Sequence, residues 1–289
     1  MGMGMGMGMG MGMGMGMGMG AGAGSGSAFN AVPSELGYRE VTLQFTLSPY
    51  PSRDFPLKPL PPSQWKKSSW DLYMKSLWYV PEFLKTDWDT IDFSAQPDLL
   101  KWRDTNPDFE KVVEKEIEDL IELMRIDRER YLPEILFQHD NAPSYWLGLL
   151  GLERGKKPLV QQAMLVAKRI GEIPTTHFKL KFDRPRPSSV CPGLMPPFGP
   201  PSHSAFPSGH ATQSWLMTLC LTAIAPEYKE QLEWLAERVA FNRERAGVHY
   251  ASDSRGGKFL AEQCFARMNS NACPDIKQLI EDAKSEWGA

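Results

Sequence analysis

The chain has 289 residues, a formal net charge of -3 at pH 7, and 42% hydrophobic and 11% aromatic residues. That is too apolar for a disordered protein and supplies material for a large buried core. The near-neutral balance argues against nucleic acid or an anionic membrane surface as partner, so any basic cluster must be local and meant for something small.

Residues 1 to 20 are ten Met-Gly dipeptides, and Ala-Gly-Ala-Gly-Ser-Gly-Ser follows. Alternating glycine costs too much backbone entropy to order, and the segment lacks the basic and apolar regions of a signal peptide. Residues 1–28 are therefore read as a low-complexity, disordered tail. Residues 29–105 form a proline- and tryptophan-rich N-terminal extension. Within it Val41 to Leu47 alternates like a lone strand, and Trp65, Trp70, Trp78, Trp88 and Trp102 are expected to pack over the domain that follows.

Residues 106–289 read as helical throughout. Asn106-Pro107 starts a helix in which Val113, Ile117, Leu120, Ile121 and Met124 recur at three- and four-residue steps. Further helices are expected near 132–152, 158–173, 208–225, 228–245, 253–269 and 275–286, with Pro158 in a first turn and Pro226 ahead of the next helix. Short connections between periodic helices predict an all-α bundle, with the active site in its core and the irregular extension outside. No stretch approaches the roughly 18 consecutive apolar residues of a membrane span, so a soluble protein is expected. Cys191, Cys220, Cys264 and Cys273 lack metal-ligand spacing, and Cys220 and Cys264 fall on apolar helix faces as buried thiols.

Three blocks carry chemistry. In His177-Phe-Lys179-Leu-Lys-Phe-Asp-Arg184-Pro-Arg186-Pro187, four cations lie within eight residues and the prolines forbid a continuous helix. By itself this reads as a solvated basic loop. Two Arg-Pro units, however, hold Arg184 and Arg186 extended, a good way to present a planar guanidinium to an oxyanion. In Pro207-Ser208-Gly209-His210-Ala-Thr-Gln213, Ser208 is a good N-cap and Gly209 lets an anion approach the backbone. The first-turn N–H groups and the positive dipole end then form an anion site with His210 beside it. In Arg243-Glu-Arg-Ala-Gly-Val-His249-Tyr-Ala-Ser-Asp253, the last two are four apart, one helical turn. Asp253 can thus orient one nitrogen of His249 and leave the other as a nucleophile or ligand.

Together these blocks run Lys179, six residues, Arg186-Pro187; then Pro207-Ser208-Gly209-His210; then Arg243, five residues, His249, three residues, Asp253. This resembles the three-part signature of the type 2 phosphatidic acid phosphatase and vanadium haloperoxidase superfamily, in order and in spacing. Asn242 departs from it, since serine usually precedes the arginine; that position is expected to be peripheral. The resemblance implies an anion pocket of Lys179, Arg186, Ser208, Gly209 and Arg243. His249 would be the nucleophile forming a phosphohistidine, Asp253 its partner, and His210 the general acid and base, without cofactor or metal and with a small phosphorylated substrate. His203 and Arg184 are placed in a supporting shell; His177, Lys181, Arg245 and Arg255 in a supporting or surface role; and His139 in a structural one. The alternative is a haloperoxidase with vanadate on His249 and His203 near it. The 33 positions from His210 to Arg243 resemble the compact soluble acid phosphatases more. A non-catalytic helical scaffold is the weakest reading, because every motif position is filled.

Overall fold

The structure, a computed structural model, describes residues 70–152 and 155–289. The Met-Gly tail, the strand expected at Val41 to Leu47 and Trp65 lie outside them. All regular structure among the described residues is helical. Short helices α1 (Leu72–Leu77) and α2 (Val80–Phe83) and three 3-10 turns lead into α3 (Phe109–Ile126), α4 (Arg128–Asn141) and α5 (Pro143–Leu149). Then come α6 (Pro158–Phe182), α7 (Pro187–Val190), α8 (Gly209–Ile224), α9 (Lys229–Arg245), α10 (Ala251–Met268) and α11 (Pro274–Gly288).

Helix α8 is apolar on all sides, as only a core helix can be, and it packs against α6, α9, α10 and α11. Among its polar groups, the Thr218 hydroxyl donates to the Leu232 carbonyl at 3.0 Å and accepts from Trp146 Nε1 at 2.9 Å. Helix α10 approaches the start of α8 closely enough that a Cβ on Gly257 would meet the Ser208 carbonyl oxygen at 2.7 Å.

Local rules fail at two places. Helix α6 was expected to stop near 173, but it runs through Pro174 to Phe182. An interior proline costs about 3 kcal/mol. Burial of Phe178 beyond it, at ~1.5–3 kcal/mol per large apolar side chain, offsets much of that. Lys179 consequently projects from a helix rather than a loop. The helix ends where Asp183 turns left-handed (φ 45°), ahead of Arg184-Pro185. The helix expected at 132–152 is two, α4 and α5. It begins at Arg128, whose guanidinium donates to the carbonyls of Arg245, Leu194 and Met195 at 2.6, 2.7 and 3.0 Å, a tertiary anchor that overrides the local pattern. Finally, residues 72–105 belong to the same compact unit as the bundle. Phe93 is buried at 2% exposure with its ring edge-on to Phe178, Phe182, Phe206 and Phe259, and Trp102 lies against Phe206. Trp70 and Trp78, by contrast, are 62% and 78% exposed among the described residues.

Candidate active site

The three blocks meet because the chain stitches their connections together. The Ser208 N–H donates to the Asp253 carbonyl at 3.0 Å, and the Ala205 N–H to the Arg184 carbonyl at 2.8 Å. Ser208 caps α8, its hydroxyl accepting from the Ala211 N–H at 3.4 Å, so Gly209 and His210 occupy the first turn. Gly247 (φ 73°) reverses the chain after α9 and turns it towards His249; a Cβ there would meet Arg128 Nη2 at 2.9 Å.

His249 is not on a helix, contrary to the one-turn pairing expected with Asp253. It lies just before α10, and Asp253 reaches back from the first turn in a capping arrangement. Asp253 Oδ2 accepts from His249 Nδ1 at 3.1 Å and from the Tyr250 N–H at 3.0 Å. On the opposite edge, Arg186 Nη1 lies 3.0 Å from His249 Nε2. A guanidinium only donates, so Nε2 presents its lone pair and Nδ1 carries the proton. The ring is therefore fixed in the tautomer and orientation a nucleophilic Nε2 requires. Burial above all, then Arg186, Lys179, Arg243 and His203, holds its pKa well below the ordinary 6.5.

Arg186 also donates to the Val248 carbonyl at 2.7 Å and the His203 carbonyl at 2.9 Å, and its Nη2 lies 3.0 Å from His203 Nδ1. Burial pushes its pKa down to about 10. Arg243 is 1% exposed, and its buried Nε and Nη1 have no hydrogen-bond partner among the described residues; burial and then Arg186 lower it to about 9. Lys179 is 3% exposed and donates to the carbonyls of Ser204 and Ala205 at 2.7 and 2.8 Å, with its pKa driven well down by burial and then by Arg186. These cations sit in low dielectric, and Arg186 depresses both Lys179 and Arg243. An anion placed among them relieves all three.

Of the supporting residues, His203 braces Arg186, and Arg184 is buried at 2% with Nη1 on Asp253 Oδ1 at 2.6 Å. Asn242 points away from the cations: its amide donates to Gln138 at 2.8 Å and Glu134 at 3.1 Å, and its oxygen accepts from Arg245 at 2.8 Å. Arg245 closes that network onto Asp127. Two further residues approach the site. His139, read as structural, ends α4 with its ring stacked on Phe198 (4.3 Å) and parallel to His210 (6.3 Å), and Nδ1 3.4 Å from Arg243 Nη2. Glu116 on α3 bonds Arg184 Nη2 at 2.7 Å. Its signal in the sequence is a carboxylate inside the apolar stripe of Val113, Ile117 and Leu120.

Residues 162–268 match the PAP2 superfamily model. The chain is 27% identical over 85 residues, 29% of its own length, to a non-specific acid phosphatase of Providencia stuartii, and so spans only 34% of that relative. A solved transmembrane PAP2-type phosphatidylglycerolphosphate phosphatase from Bacillus subtilis aligns with 73% of this chain and 94% of its own, at 18% identity and a TM-score of 0.30. No helix among the described residues is long and apolar enough to cross a membrane.

Proposed function

From the PAP2 superfamily segment at residues 162–268, we propose that this protein is a phosphatase that hydrolyses small phosphomonoesters through a phosphohistidine at His249. The observation that carries the reading is the His249 Nε2 lone pair, aligned by Asp253 beside the buried cations Lys179, Arg186 and Arg243. Counting Arg184 with these three gives four cations against the two carboxylates Asp253 and Glu116, a formal excess of two. A phosphomonoester dianion neutralises that excess, and a transition state with more charge on its oxygens draws on it further.

Arg186 Nη1 and the Arg243 Nε and Nη1 donors take the phosphoryl oxygens, with the Gly209 N–H and Ser208 at the helix terminus. Arg186 turns Nη1 from the ring onto the anion, and Nε2 attacks phosphorus in line. The bond to the leaving oxygen breaks as His210 supplies its proton. Asp253 stabilises the cationic phosphoimidazole through Nδ1–H. His210 then takes a proton from water, the water oxygen bonds phosphorus, the P–N bond breaks, and phosphate leaves with His249 neutral again. The stabilisation a divalent metal would supply comes here from fixed cations.

The site's anion geometry would also hold vanadate with His203 nearby, the basis of the haloperoxidase reading, and one paired assay separates the two. Chelator-treated protein is expected to hydrolyse an aryl phosphate, to be inhibited competitively by vanadate, and to leave bromide unoxidised when peroxide and vanadate are added. Because the His249 pKa is depressed, its lone pair stays available as the pH falls through 6.5, so kcat/KM should show no loss from imidazole protonation there. Loss of hydrolysis on chelation, restored by a divalent metal, or bromide oxidation without hydrolysis, would overturn the proposal.

A further inference from the structure

Helix α3 lies outside the matched segment 162–268, yet it supplies a carboxylate to the innermost hydrogen-bond chain of the site. Glu116 Oε2 accepts from Arg184 Nη2 at 2.7 Å, and Glu116 Oε1 accepts from the Ser252 N–H at 2.8 Å. Arg184 Nη1 in turn donates to Asp253 Oδ1 at 2.6 Å and to the Ser252 hydroxyl at 2.7 Å. The guanidinium is clamped between two rings, 3.7 Å from the Tyr250 centroid and 4.5 Å from that of Trp102. Side-chain exposure along this chain is 11% for Glu116, 2% for Arg184 and 0% for Asp253, so its charges interact with little screening by water.

We propose that Glu116 is a positioning residue: acting through Arg184, it holds Asp253 on His249 and leaves that assembly with net negative charge. The argument is one of balance. Asp253 paired with Arg184 alone is neutral and offers a cationic phosphoimidazole little stabilisation. Adding Glu116 makes the trio a monoanion, and Asp253 Oδ2, which also accepts from the Tyr250 N–H, faces the ring. Both carboxylates also sit at the start of α10, where the positive dipole end favours them. Glu116 touches neither the lone pair of His249 nor the Arg186 and Arg243 donors, so its effect falls mainly on turnover, with a smaller effect on anion binding through the overall charge balance.

The inference rests on the phosphohistidine reading, and the experiment keeps their failures apart. Wild type, Glu116→Gln and Glu116→Asp are compared for kcat and KM on an aryl phosphate and for thermal unfolding. Glu116→Gln, which keeps shape and loses charge, is expected to lower kcat about tenfold with KM within about twofold of wild type. Glu116→Asp, which keeps the charge, should recover part of that loss. A wild type without hydrolysis defeats the functional reading and this inference with it. An active wild type with unchanged kcat in Glu116→Gln, or with KM rising in step with the loss, defeats this inference alone. Should Glu116→Gln not fold, Glu116→Asp is judged on the same criterion. Failure of both to fold would mark the carboxylate as structural and overturn the proposal.

Discussion

Replacing His249 by alanine is expected to lower kcat by about four orders of magnitude or more while inorganic phosphate still binds. The two consequences separate because the ring and the anion donors are different groups. His249 contributes the attacking lone pair, whereas Lys179, Arg186 and Arg243 contribute the charge. Removing the imidazole also removes one partner of Arg186 Nη1, which keeps its bond to the Val248 carbonyl at 2.7 Å and stays in place. Competitive inhibition by phosphate in the wild type, alongside calorimetric phosphate binding to the variant, measures both. A variant retaining more than about a hundredth of the wild-type rate would mean that another group attacks phosphorus.

The second large effect is expected at His210, and its size should depend on the substrate. His210 lies in the first turn of α8 at 3% exposure, its ring parallel to that of His139, with the cap of Ser208 fixing its backbone. As the proton donor to the leaving oxygen it contributes ~10²–10⁴-fold, and that share shrinks when the leaving group is already a good one. His210→Ala is therefore expected to slow hydrolysis of an alkyl phosphate by about 10³-fold and of a nitrophenyl phosphate much less. Steady-state rates on the two substrates check it. Equal penalties on both would show that His210 serves anion binding or structure.

The legible part of this molecule is the part that anion chemistry dictates locally. A cation-rich run with Arg-Pro units, a Ser-Gly start to an apolar helix and a closely spaced Arg, His and Asp are each common alone and telling only in their joint order; in the fold Arg186 meets His249, and His249 meets Asp253. The apolar character of α8 likewise foretells a central helix. What local pattern does not contain is which faces become buried. Pro174 reads as a stop until neighbouring helices cover Phe178. His249 and Asp253 read as one helical turn, although the same spacing also fits a carboxylate reaching back to cap its own helix, which is what forms. Glu116 and His139 stand 68 and 104 positions from the arginines they meet, and no periodicity within a helix reports such a partner. Asn242 shows the converse: it breaks the expected motif pattern but faces Gln138, Glu134 and Arg245, so the departure leaves the cation cluster untouched.

The claim that His249 carries the phosphoryl group is tested most directly by rapid quench. Wild type and His249→Ala are mixed with a ³²P-labelled phosphomonoester, stopped in the millisecond range under alkaline conditions, and digested for peptide mapping. The predicted result is an acid-labile, base-stable label on the peptide containing His249 in the wild type, formed faster than free phosphate and absent from the variant. Label on any other residue, an equal label in His249→Ala, or wild-type turnover whose trapped protein never carries phosphate would contradict the account.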